Sequence, residues 1–127
     1  MKFDGASPLV IALAKEFIAA MQRINPSWER AYWRFVCAYD QYGSNASYIV
    51  SSGVTLISAM NESQLFDALN DLGRQLWNSE GDPSRKFCVC LLVVSSDFDY
   101  EIKFEQHDRS KWRITKLDGR TGIPEGL

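Results

Sequence analysis

The chain has 127 residues, the size of one domain, and a formal net charge of −2; this excludes the strongly basic balance typical of a nucleic-acid-binding domain. With 46% hydrophobic, 24% charged and 13% aromatic residues, its composition is that of a folded domain and not of a disordered tract. A chain this long buries roughly two thirds of the surface it exposes unfolded, so one core suffices.

No apolar run approaches the ~20 residues of a membrane span, and the first residues lack the pattern of a secretory leader. A cytoplasmic protein without membrane contact is therefore expected. The cysteines agree: Cys37, Cys88 and Cys90 are odd in number. Cys88 and Cys90 lie two apart in an expected strand, pointing the same way and tethered too closely for an easy disulfide. Reduced, buried thiols are expected. His107 is the single histidine, too few ligands at useful spacing for zinc, so neither metal nor cofactor is expected.

In chain order, Met1 to Ala6 reads as a short arm, and Ser7-Pro8 as an N-cap followed by proline at the first helical position. A helix from Pro8 to about Arg23 follows, with Leu9, Val10, Leu13, Phe17, Met21 and Ile24 on one stripe. Asn25-Pro26-Ser27 ends it, since the residue before proline avoids the helical region. Arg30 to Tyr39, rich in aromatic and β-branched residues, predicts a first strand, Trp33 and Phe35 pointing one way and Tyr32, Arg34 and Val36 the other. Residues 41–45 predict a turn, and Ala46 to Ser51 a returning strand. Val54 to Ile57 is a short third strand or a loop crossing back.

Asn61-Glu62-Ser63-Gln64 resembles a capping box at the head of a second amphipathic helix, with Leu65, Leu69, Leu72 and Leu76 on its stripe and an end near Asn78. The apolar run Phe87 to Val94 reads as a strand covered on both faces. Phe98 to Gln106 then alternates strictly, with Phe98, Tyr100, Ile102 and Phe104 expected inside and Asp99, Glu101, Lys103 and Glu105 outside. Ser110 to Ile114 is a further strand or a docking segment. Residues 118–127 are expected to be a loose tail. The whole predicts a single α+β domain over residues 1–127: an antiparallel sheet of four to five strands with both amphipathic helices packed on one face.

Candidate chemistry is sparse. No phosphate-cradling glycine spacing occurs, and His107 has no obvious nucleophilic partner. Asp99, Glu101 and Glu105 share a strand face and are the one conceivable acid/base set, but an outer strand face lacks the cleft that raises one carboxyl pKa. No enzyme is expected. The aromatic-rich first hairpin lacks the basic track of a single-strand platform, so direct nucleic-acid binding is not expected. The region from Asn61 to Asp108 is acidic, and the residues after Asp108 are basic, able to form a rim or to contact the acidic strand internally. The acidic face is either solvation that protects a sheet edge or a surface for a basic protein partner.

Pro26-Ser27-Trp28-Glu29 after the first helix, the Tyr32-to-Tyr39 strand, Leu65-Phe66-Asp67 in the second helix and the run from Asp99 to Asp108 together resemble the YezG-like family of bacterial immunity proteins. The likeness extends from about Ser7 to Asp108. It implies a non-enzymatic cytoplasmic protein that binds a cognate toxin C-terminal domain, often a nuclease, and occludes its active site or substrate surface. On this reading Asp97, Asp99, Glu101 and Glu105, with Tyr42 at the rim, form the partner interface. The alternative is a small ligand- or peptide-binding α+β module, with a pocket lined by Trp33, Phe35, Phe66 and Trp77.

Overall fold

The structure, a computed structural model, describes residues 8–127; the arm and the expected cap Ser7 lie outside the described residues. Helix α1 (Pro8–Ile24) leads into β1 (Arg30–Cys37), β2 (Tyr42–Val50) and β3 (Gly53–Leu56), followed by α2 (Ser63–Ser79), β4 (Val89–Ser95) and β5 (Tyr100–Glu105). The strands form one antiparallel sheet in the order β3-β2-β1-β4-β5. Both helices pack on one face, giving the expected α+β architecture.

Several element ends differ from their sequence signals for local reasons. The first hairpin turns early, with the Ala38 N–H donating to the Gln41 carbonyl at 2.8 Å, so β1 stops at Cys37 and β2 begins at Tyr42. The expected capping box does not form. Glu62 precedes α2 without a side-chain cap, because its carboxylate receives Arg23 Nη2 at 2.7 Å. That ion pair joins the end of α1 to the start of α2.

On the helix face, Trp33 and Phe35 stack with ring centroids 5.1 Å apart. Alpha helix α2 crosses them at Gly73, where a Cβ would lie 2.9 Å from both Phe35 Cε2 and Trp33 Cη2. A glycine inside a helix costs about 1 kcal/mol relative to alanine; here it lets the backbone settle on the ring pair. Trp33, Phe35, Phe66 and Trp77, the expected pocket lining, are all buried members of this core.

The second face corrects the loose tail. Tyr32, Val89, Leu91 and Val93 are covered by Trp112 and Ile114, with Ile123 packed beside them. The covering segment has little regular structure, so side chains of the sheet hold its backbone. Arg34 donates from Nε to the Lys111 carbonyl at 2.8 Å and from Nη2 to the Arg109 carbonyl at 2.6 Å. Asn45 Nδ2 donates to the Ile114 carbonyl at 2.7 Å, and the buried Ser47 hydroxyl to the Gly122 carbonyl at 2.6 Å. Burial lowers the Arg34 pKa, yet a guanidinium held by two carbonyls stays charged.

The two cysteines expected to share a strand face are separated, because β4 begins only at Val89, after Cys88. Cys90 lies in the helix-side core, whereas Cys88 and its neighbour Val89 both pack against the second face. Alternation therefore starts at Val89, and the Cys88 N–H just ahead of it donates to the Glu105 carbonyl at 2.7 Å. All three cysteines are free thiols.

Candidate functional site

The acidic strand enters through the β4–β5 hairpin. The Phe98 N–H donates to the Ser95 carbonyl at 2.9 Å, and the Ser95 N–H to the Asp99 carbonyl at 3.0 Å. These bonds enclose a three-residue loop, Ser96-Asp97-Phe98, whose last residue lies in the left-handed region at φ 69°. Loops of this kind place glycine at that position, because a side chain there meets its own backbone. Here the position holds a phenylalanine that is 62% exposed. The expected inner-face role of Phe98 is therefore wrong: the alternating pattern continues one step into the turn, and β5 begins only at Tyr100.

The flanking carboxylates build the turn. Asp97 accepts the Ser95 hydroxyl and the Asp99 N–H, and the Ser95 bond above all holds its pKa below the usual range. Asp99 accepts the Tyr100 N–H at 3.0 Å. Phe98 thus stands between two exposed acids. On one side it closes an apolar groove of about 400 Å³ against Ile11, Ala14, Ile18 and Ala19 of α1. Past Asp99, a polar groove of about 470 Å³ runs over Val93 between Arg30 and Glu101.

The five proposed interface residues do not form one patch. Asp97, Asp99 and Glu101 gather at the hairpin. Glu105 lies four residues along β5 from Glu101, about 13 Å away, and its oxygens are engaged. It accepts the N–H groups of Asp108 and His107, each at 3.0 Å, and Lys111 Nζ at 3.1 Å. Those backbone bonds, with the lysine third, hold its pKa down to about 2. This is the internal contact between the acidic strand and the basic end that the charge distribution allowed. Tyr42 pairs with Cys37, whereas Ser95 pairs with Arg30 at the opposite end of β1, a separation of about 23 Å. Tyr42 also belongs to the helix face, with the Arg74 guanidinium 4.8 Å from its ring centroid.

Sequence reasoning missed Phe98 as an exposed residue, and it missed the groove beside it. The signal for the groove was present: Ile11 and Ile18, two turns apart on α1, are apolar but fall outside the main stripe. The acid/base possibility gains nothing from the geometry, since Asp99 and Glu101 are both exposed and Glu105 is remote from them. Among the described residues no group of three or more His, Cys, Asp or Glu could hold a metal ion, and no helix is long and apolar enough to cross a membrane. No family model matches the chain, and no curated protein matches it.

Proposed function

We propose that this chain is an immunity-type inhibitor, a non-enzymatic cytoplasmic protein that binds a cognate bacterial toxin domain and occludes its active site or substrate surface. The observation that carries the reading is Phe98, a large apolar side chain held outward in a left-handed conformation between Asp97 and Asp99. Local rules are broken there with no gain to the core, the situation in which a binding role is the first hypothesis. Aromatic anchors ringed by polar groups dominate protein interfaces, and carboxylates beside one suit a basic surface such as that of a nuclease. Within this reading the contact surface contracts to Asp97, Phe98, Asp99 and Glu101, while Glu105 and Tyr42 serve the fold. The pocket-binder alternative loses support, because its four proposed lining residues are packed as core.

The test is co-expression with the C-terminal domain encoded immediately upstream. Rescue of growth and a complex that purifies are expected. The double variant Asp99→Lys, Glu101→Lys, folded by circular dichroism, is expected to weaken the complex at least tenfold at low salt. Absence of both rescue and complex would overturn the immunity reading, and undiminished affinity in the double variant would overturn the assignment of the surface.

A further inference from the structure

Two polar grooves open at one corner of the second sheet face, and no residue of the C-terminal cover lines either. Arg30 stands in both. The groove of about 470 Å³ over Val93 has Arg30, Asp99 and Glu101 as its charged walls. Its neighbour, of about 420 Å³ beside Tyr32 and Ile49, has Glu29, Arg30 and Asp97. One exposed guanidinium therefore divides two grooves, each with two carboxylates on its other walls. The strands set the spacing: Arg30 pairs with Ser95, and the Ser95 N–H donates to the Asp99 carbonyl at 3.0 Å. These three stand in one row across β1, β4 and the start of the last strand, with Arg30 and Asp99 about 10 Å apart at the Cα atoms. Among the described residues no carboxylate comes within ion-pair distance of Arg30. Its guanidinium lies beside the Tyr32 hydroxyl, which engages only part of a five-donor fork.

We infer that this corner receives an acidic side chain of the protein partner on Arg30, set among basic residues of the same partner that meet Glu29, Asp97, Asp99 and Glu101. The inference rests on the inhibitor reading above and gives the partner surface its charge pattern. A guanidinium fork matches a carboxylate in two parallel hydrogen bonds, and Arg30 has donors left for them. A free anion gains little here, because four carboxylates around one guanidinium repel it. A uniformly basic surface meets the reverse penalty, since it covers Arg30 with like charge. A carboxylate that brings its own bases satisfies both conditions, and that combination belongs to a protein surface and not to a small anion or a nucleic-acid backbone. Arg30 and Glu101 lie on paired strands, so the pattern is presented at fixed spacing.

Arg30→Gln is the discriminating variant, because it makes the corner more acidic and would tighten a complex held by attraction to bases alone. It is expected instead to weaken the complex with the upstream-encoded toxin domain at least tenfold by titration calorimetry. Arg30→Lys, which keeps the charge and loses the fork, is expected to fall between. Arg30 is exposed at the first position of β1, so both variants should keep the wild-type urea midpoint. The second readout needs no toxin: a ¹H–¹⁵N titration of the full chain with a seven-residue peptide of lysines and glycines carrying one central aspartate, against the same peptide with asparagine there. The aspartate peptide is expected to bind at least threefold tighter despite its lower net charge, with shifts at Arg30, Val93 and Glu101, and Arg30→Gln is expected to erase the difference. A toxin complex as tight or tighter in Arg30→Gln, or an asparagine peptide that binds as well as the aspartate one, would overturn this inference and leave the immunity reading standing. The aspartate preference without any toxin complex of the wild-type chain would overturn the immunity reading and leave the charge pattern of the corner.

Discussion

Replacing Phe98 separates a structural residue from a displayed one. At 62% exposure about 38% of the side chain is buried, and full burial of a phenylalanine is worth about 1.5–3 kcal/mol, so Phe98→Gly forfeits about 0.6–1.1 kcal/mol of contact. The added freedom of glycine in the unfolded chain costs a further ~0.4–1 kcal/mol. Against these stands relief of the left-handed backbone, worth about 1–2 kcal/mol for a residue with a Cβ. The contributions nearly cancel, so Phe98→Gly is expected to lie within about 1 kcal/mol of the wild type in urea denaturation, a Tm change of about 4 °C or less. Phe98→Asn, which tolerates the left-handed region without the unfolded-state cost, should be at or above the wild type. An inner-face phenylalanine cut to alanine loses about 3–5 kcal/mol. A loss of 3 kcal/mol or more in Phe98→Gly would refute the claim that this side chain is displayed and not packed.

Three further outcomes test the packing and electrostatics. Gly73→Ala places a Cβ 2.9 Å from Phe35 and Trp33; overpacking of about 1–3 kcal/mol equals or exceeds the helix-propensity gain of about 1, and urea melts should show no gain and a net loss of up to about 2 kcal/mol. Removal of residues 118–127 takes away Ile123 and the carbonyl that satisfies the buried Ser47 hydroxyl, and a loss of about 2–4 kcal/mol is expected where a free tail would cost nothing. The carboxyl of Glu105 is held at about 2 against an ordinary 4.5. Its contribution to stability is therefore complete above pH 4.5 and fades as the pH falls toward 2. Denaturation curves across that range should flatten in Glu105→Gln, and an unchanged slope would show that the turn bonds to Asp108 and His107 do not persist in solution.

The layered fold was legible because periodicity reports which faces are buried: two helices and two hairpins form as elements in the expected order, although the first turn closes between Ala38 and Gln41 and residues 42–45, expected to turn, are strand. The turn at Phe98 was not legible from alternation, since one more apolar residue continues a period-two pattern whether or not the backbone is still extended. The better signal was the cluster Ser95, Ser96, Asp97 and Asp99, whose short side chains build turns. The C-terminal cover was hidden for a different reason: Trp112, Ile114 and Ile123 fall on irregular backbone, which has no period to read. Yet the need for a cover was already implied. A strand as continuously apolar as β4 requires burial on both faces, and two helices on one face leave Tyr32, Leu91 and Val93 unprotected on the other. The remaining apolar residues of sufficient size lay after Asp108, so the second layer followed from the demand of the sheet and not from any pattern in the segment that supplies it.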